Sequence, residues 1–558
     1  MSENMIMENG KISAQCYAKM IAGGAANLQE HVQEINDLNV FPIPDGDTGE
    51  NMLLTMLGGA KLQDSEEDNL SALSRKISNA MLLTARGNSG VILSQFFDGI
   101  TRGFSHTYEA DVEQLKNAFK MGVEQAYKSV MTPTEGTILT VIREATEASC
   151  VSQAKTPLEF LETFLDEAKK SLEHTPDLLP VLKEAGVVDS GGAGLVYIIE
   201  GMKMAMLGKK IGEAIRSNKE SAPEELDLDA FDENSVLTYG YCTEVLLRLQ
   251  TAKVGDTGSF NESVIVDYLG TIGDSMVVVK SGSVVKIHVH TMTPHNVLGF
   301  LQQYGEFLKV KIENMSLQHN NTIKENTSNT EKPAPKKPRK PVGVVTVAQG
   351  EGVKAMFTDL GADYIVDGGQ SMNPSAEDFL HAFDEVNADT IFVFPNNGNI
   401  VMAAKQAGEL YEGSKVIVIE SKTIGQGYAS LSMLDVSMDL EETVAQLNEA
   451  MQEVVTAEIT YAVRDTNMNG VEVKKDDYIG IVGKKIITAD KTSKEAVINT
   501  LDKLGFGDYC ACILVSGKAA SEESVALLEG EIAEKYPSQE VYVVNGGQDV
   551  YEYILIIN

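Results

Sequence analysis

Between residues 11 and 207 the apolar positions recur at helical spacing, and a polar, glycine-containing loop precedes each apolar run. Asp45-Gly46-Asp47-Thr48-Gly49 precedes Met52, Leu53, Met56 and Leu57. Thr84 to Gly90 precedes Val91, Ile92, Gln95, Phe96 and Ile100. Pro133 to Gly136 precedes Thr137, Ile138, Val141, Ile142 and Ala145, and Asp189-Ser190-Gly191-Gly192 precedes the run from Ala193 to Leu207. Thr, Ser, Asn or Asp ahead of an apolar run is a helix start signal. The pattern predicts an all-α helical bundle of about eight helices over residues 1–208, with several helix N-termini able to point at one place.

The period is lost from Lys209 to Asp229, an acidic linker. It then changes character. Leu237 to Gln250 alternates, Asn261 to Ile272 is helix-like, and Met276 to Lys280 with Val284 to His290 forms a hairpin around Ser281-Gly282-Ser283. Pro294 to Gln303 is helical and Phe307 to Glu313 alternates again. That order, strand–helix–strand–strand–helix–strand, predicts a small α+β ferredoxin-like domain over residues 226–318. A second linker, His319 to Lys340, closes in a Pro- and Lys-rich stretch that favours extended geometry and reads as a solvated tether. From 341 to 558 buried β runs alternate with helices. Val342–Val347, Tyr364–Val366, Thr390–Phe394 and Lys415–Ile419 have the near-continuous apolar character of parallel strands. A second lobe is expected from about Asp490, so the whole is an α/β two-lobed domain. Linkers on both sides of the middle domain imply three separately folded parts.

Composition narrows the function classes. The net charge of −35 argues against nucleic acid, which requires clustered Lys and Arg. The longest apolar runs fall far short of a bilayer span, and Met1 to Gly10 lacks the basic start and apolar core of a signal peptide. Five cysteines with no dense spacing point to a reducing interior, and the expected location is cytoplasmic.

The strongest local chemistry lies in Asn39 to Met52. Asp45 and Asp47, on a loop tightened by Pro44 and Gly46, can converge on a hard cation such as magnesium, which takes a few carboxylates plus phosphate oxygens and water. The helix that follows offers free N–H groups to the same phosphates. An Asp-Gly turn with an N-cap would look similar. Gly87-Asn88-Ser89-Gly90 before another helix repeats the signal.

Asn39 to Met52 resembles the signature of the ATP-binding subunit of dihydroxyacetone kinases, and the chain as a whole resembles the bacterial fatty acid kinase ATP-binding protein. The resemblance implies an ATP- and magnesium-dependent kinase that phosphorylates a fatty acid held by a DegV-type fatty-acid-binding protein, giving an acyl phosphate for phospholipid synthesis. It implies that Asp45, Asp47 and Asn51 hold magnesium, that Thr48, Gly87, Asn88, Ser89 and Gly90 cradle phosphates, and that the loops at Thr137 and at Asp189, Gly191 and Gly192 enclose the nucleotide. Dihydroxyacetone kinases carry a further Asp before the pair. Asn39 stands at its counterpart here, which favours the fatty acid branch over a kinase for a small ketose. A nucleotide-sensing scaffold is the non-enzymatic alternative, and the intact Asp45, Asp47 and Asn51 speak against it. The oligomeric state is open, with a homodimer compatible.

Cys242, His288 and His290 form a second constellation. In ferredoxin-like topology the first and third strands are antiparallel neighbours, so Cys242 falls near both histidines, and one Cys with two His is a zinc donor set. The fatty acid kinase family is similar in having an important Cys and His pair in its middle domain, which extends a catalytic role to these three residues. In the last domain, Asn396 to Asn399 and Lys422 to Gly427 follow buried strands, where α/β sheets bind ligands, and the resemblance points to carrier contact there. Cys510 and Cys512 read as packing residues within an apolar strand.

Overall fold

The computed structural model describes residues 10–38, 46–209, 241–255, 260–261, 263–269, 271–281, 283–314, 339–370 and 372–558. Two compact units emerge, one formed by Met1–Arg216 with Lys337–Asn558 and one by Ser217–Lys336.

The N-terminal segment is all-α, as its period predicts. Its helices are α1 (Ala14–Glu30), α2 (Val32–Asp37), α3 (Thr48–Ala60), α4 (Leu70–Thr84), α5 (Gly87–Gly103), α6 (Val112–Lys128), α7 (Ile138–Val151), α8 (Pro157–Leu178), α9 (Pro180–Ala185) and α10 (Ser190–Met206). Side chains at Ser13, Asn69, Asp111, Thr137, Thr156 and Asp189 cap α1, α4, α6, α7, α8 and α10, each satisfying an N–H that the helix leaves unpaired. Phe96, Phe119, Phe160 and Phe164 interlock edge-to-face at the centre, with centroids 5.6 Å, 5.0 Å and 5.2 Å from the Phe119 ring. Burying each such ring stabilises the fold by roughly 1.5–3 kcal/mol.

The middle unit has strands β1 (Tyr241–Leu249), β2 (Gly273–Ser281), β3 (Val284–Thr291) and β4 (Gly305–Asn314), in spatial order β2-β3-β1-β4, with every pair antiparallel. Helices α11 (Thr251–Val254), α12 (Ser263–Leu269) and α13 (Pro294–Leu301) complete it. Val245, Leu247, Ile265, Val285, Ile287 and Val289 form its core, which is the ferredoxin-like arrangement that the alternation implies.

The C-terminal segment opens with a four-stranded parallel sheet, β5 (Lys340–Ala348), β6 (Tyr364–Asp367), β7 (Ala388–Phe394) and β8 (Lys415–Val418), in order β6-β5-β7-β8. Its helices are α14 (Glu351–Asp359), α15 (Ala376–Val386), α16 (Val401–Leu410), α17 (Ile424–Ser432) and α18 (Leu440–Glu453). The second lobe begins earlier than the sequence pattern suggests. β9 (Val455–Tyr461), the small pair β10 (Thr466–Met468) and β11 (Val471–Val473), β12 (Tyr478–Val482) and β13 (Lys485–Asp490) all precede or reach Asp490. They are followed by α19 (Ser493–Leu504), β14 (Ala511–Ser516), α20 (Glu522–Lys535), β15 (Glu540–Asn545) and β16 (Tyr553–Ile557). The six-stranded order β13-β12-β9-β16-β14-β15 explains why: β9 is central and pairs with β16, almost a hundred positions away, so its identity depends on a partner that local periodicity does not show. Cys512 is buried in β14, whereas Cys510 lies just outside it and is exposed, so only one of the two packs.

The first and last segments do not fold as separate parts. Ala85 and Val91, from the loop and first turn of α5, are buried in the same apolar cluster as Phe379, Phe383, Val393 and Ala403. Gln406 Nε2 donates to the Leu82 carbonyl at 2.6 Å and Gln95 Nε2 to Gln406 Oε1 at 2.9 Å, so the amides at this seam are paired as well as buried.

Candidate nucleotide and metal site

Asp47 is the N-cap residue of α3, yet its side chain makes no capping bond. Asn36 does that work instead, its Oδ1 accepting from the Gly49 N–H at 2.7 Å. The Asp47 carboxylate is thereby left for other partners, and it accepts from the amides of Asn51 and Asn373. Burial pushes it up to about 6, against the lowering effect of those two hydrogen bonds.

Three contacts draw four helix N-termini together. Asn51 of α3 lies against the start of α5: a Cβ at Gly87 would come within 2.6 Å of Asn51 Nδ2, and one at Gly90 within 2.5 Å of Thr55 Oγ1. Gly87 also has φ +58°, a left-handed conformation that glycine adopts at low cost. Ser190 Oγ donates to Thr48 Oγ1 at 3.3 Å, which places the start of α10 beside that of α3. The half-buried Asp189 side chain accepts from Gly192 N–H at 2.7 Å and from the Ile138 N–H, which ties α10 to α7. Desolvation pushes Asp189 up to about 6 as well.

The sequence-derived residues Asp47, Thr48, Asn51, Gly87, Asn88, Ser89, Gly90, Thr137, Asp189, Gly191 and Gly192 thus sit on four neighbouring helix starts. Arg86, the N-cap of α5, makes no side-chain cap bond either, so among the described residues this helix presents uncapped N–H groups where its positive dipole end lies. A carboxylate not used for capping, beside such an end, suits a hard cation together with phosphate oxygens. Asn39 and Asp45 lie outside the described residues.

Sequence reasoning missed two contributors. Asn373, from the loop between β6 and α15, is 2% exposed and reaches Asp47 from the C-terminal segment. Arg86 holds that loop, its Nη1 donating to the Asn373 carbonyl at 2.8 Å. The Asn396–Asn399 loop also faces inward: Asn88 Nδ2 donates to Asn399 Oδ1 at 3.2 Å, and Asn396 is buried and bonded to Thr346 Oγ1 and the Val347 carbonyl. Beside it, between the two lobes, Asn397, Gln370 and Tyr551 are hydrogen-bonded in series along a cavity at the ends of β5 and β7.

In the middle unit the register sets Cys242 opposite His290 and Glu244 opposite His288, as the strand argument requires. The side chains of Cys242, His288 and His290 lie outside the described residues. Among the described residues no group of three or more His, Cys, Asp or Glu is placed to hold a metal ion, and no helix is long and apolar enough to cross a membrane.

Comparison with known proteins covers all three segments. Residues 42–204 match the family described as DAK2 domain. Residues 238–322 match the FakA-like middle domain of fatty acid kinase, and residues 343–558 the FakA-like C-terminal domain of the same kinase. The chain is 39% identical over 553 residues to Protein YloV of Bacillus subtilis, spanning 98% of this chain and 99% of that one. Among solved structures, dihydroxyacetone kinase from C. freundii in complex with AMP-PNP and Mg2+ is 21% identical with a TM-score of 0.27, over 33% of each chain. The Streptococcus pneumoniae Fatty Acid Kinase B3 protein loaded with linoleic acid is 12% identical with a TM-score of 0.28, over 39% of this chain and 99% of that one.

Proposed function

This chain belongs to the FakA-like family of fatty acid kinase proteins, and from that membership we propose that it transfers the γ-phosphoryl group of ATP to the carboxylate of a fatty acid presented by a DegV-type fatty-acid-binding protein. The product is an acyl phosphate, of use in phospholipid synthesis. The observation that carries the reading is the convergence of four helix starts around Asp47, a carboxylate not used for capping.

Magnesium, when bound with the nucleotide, supplies positive charge that offsets the negative charge of the transferring phosphoryl group. Asp45, Asp47 and Asn51 would hold it. The uncapped N–H groups at the start of α5 would bind phosphate oxygens, with Gly87 and Gly90 allowing the backbone to approach closely. Thr48 and Ser89 add hydroxyl donors, while the α7 and α10 starts at Thr137 and Asp189 close the far side. A carboxylate oxygen of the acceptor attacks the γ-phosphorus as the bond to the bridging oxygen breaks and ADP leaves. The ionised acceptor has no proton to lose, so the site needs positioning and charge and no general base.

A fatty acid and a DegV-type protein added together should raise ADP release well above either alone. Turnover on dihydroxyacetone without any carrier would instead identify a small-ketose kinase.

A further inference from the structure

Asp47 is reached by two amides, and they come from opposite ends of the chain. Asn51 lies one helical turn along α3, whereas Asn373 is 326 positions away, in the loop that leads from β6 into α15. The described residues of that loop are anchored at several points. Gly369 N–H donates to the Met372 carbonyl at 3.0 Å, Ser375 caps α15 in a reciprocal capping box with Asp378, and Arg86 forms a backbone bridge with Ser375. Arg86 further holds the Asn373 carbonyl and faces Asp378 with 3.7 Å between Nη2 and Oδ2. Asn373 therefore has little freedom to leave Asp47. Its second amide atom, Oδ1, is buried with no hydrogen-bond partner among the described residues, although buried acceptors are nearly always paired.

Resting on the reading of Asp47 as a magnesium ligand, we propose that Asn373 is a positioning residue of the phosphoryl-transfer site, contributed by the C-terminal domain, which orients the Asp47 carboxylate toward the metal–nucleotide complex. A carboxylate ligand held by neighbouring amides presents its remaining lone pairs in a single direction, and such outer partners typically govern metal affinity about 10- to 100-fold. Oδ1, without a partner among the described residues, can accept a hydrogen bond from the incoming complex. The kinase site is on this account composite. The helical bundle supplies the ligand and the phosphate-binding N–H groups, and the α/β domain supplies the group that aims the ligand.

The test uses the full chain with ADP, and Mn2+ as a paramagnetic stand-in for magnesium, with bound metal read by electron paramagnetic resonance. Asn373→Ala should weaken Mn2+ binding about tenfold or more. Asn373→Ser, which keeps a shorter donor, should fall between Asn373→Ala and wild type and provides a second reading if the Ala variant folds poorly. Gln406→Ala, which cuts a different contact at the same domain seam, should leave Mn2+ affinity unchanged. Turnover of Asn373→Ala should recover at high metal, so that the loss lies in metal saturation and not in kcat. If Asn373→Ala binds Mn2+ as wild type while Asp47→Ala does not, the positioning role is wrong and the metal site stands. An equal loss in Gln406→Ala and Asn373→Ala also overturns it, because the effect is then one of domain packing. If Asp47→Ala itself retains wild-type Mn2+ binding, the assignment of the metal site fails first.

Discussion

A side chain at Gly87 would occupy the place of the Asn51 amide, its Cβ falling 2.6 Å from Nδ2. Gly87 is the first residue of α5 and Asn51 bonds Asp47, so the proposed phosphate-side and metal-side halves of the site are packed directly on one another. Gly87→Ala should strain a backbone held at φ +58°, at a cost of about 1–2 kcal/mol, and displace Asn51 as well. Affinity for ADP with magnesium should drop at least about tenfold, the equivalent of roughly 1.4 kcal/mol. Titration calorimetry measures this, and unchanged affinity would separate the glycine loop from the nucleotide.

Asp189 makes a pH prediction of definite sign. Burial raises its carboxyl from 3.8 to about 6, so between those values the folded chain binds more protons than the unfolded one. Its contribution to stability must then fall as pH rises from about 4 to about 6 and level off above. Asp189→Asn cannot titrate. The melting temperature of the nucleotide-free wild type, taken relative to Asp189→Asn, should decline across that window and stay flat from about pH 7 upward. A constant difference throughout would mean that the carboxylate is already ionised at low pH.

Much of this site was legible in the sequence because its signals are local. Asp47 to Gly49, the glycines at 87 and 90, and the caps at Thr137 and Asp189 each mark the beginning of a run of helical period, and each recurs in the structure at a helix start. Asn373 was not legible. Its neighbours Pro374, Ser375 and Asp378 announce a helix start and nothing more, and only the packing of α15 against α4, with α16 against α5, brings that start to Asp47. The lobe boundary was misplaced for a related reason, since β9, β12 and β13 are short and take their identity from cross-strand partners. In the middle unit the alternation on two strands, with the antiparallel neighbourhood of a ferredoxin-like topology, placed Cys242 near His288 and His290, and the register sets it opposite His290.

That register motivates a metal prediction. The full chain purified without chelator should carry about one zinc, lost in Cys242→Ala, since a Cys with two His is a zinc donor set. Elemental analysis finding no zinc would remove the metal from Cys242, His288 and His290. The activities of His288→Ala and His290→Ala would then report whether these residues act in phosphoryl transfer directly.

The shared core makes a prediction about dissection. Cutting the chain to residues 1–208 would expose Ala85 and Val91, which are 0% and 2% exposed in the intact unit, and would remove Asn373. The fragment should unfold at a lower temperature than the full chain and bind ADP with magnesium more weakly. Equal stability and equal affinity in thermal unfolding and calorimetry would show that the helical bundle is self-sufficient.

The proposed role of Asp47 is to serve transfer of a phosphoryl group to a fatty acid carboxylate. The most direct measurement traps the product: wild-type chain, ATP, magnesium and a DegV-type protein loaded with a fatty acid are incubated with hydroxylamine, which converts an acyl phosphate to a stable hydroxamate. Wild type should yield acyl hydroxamate in step with ADP, and Asp45→Ala and Asp47→Ala should yield none while keeping a wild-type circular dichroism spectrum. Asn39→Asp, which only adds a ligand charge, should be tolerated far better than Asp45→Asn. Hydroxamate formed at the wild-type rate by Asp47→Ala, or ADP released by wild type with no hydroxamate at all, would contradict the account.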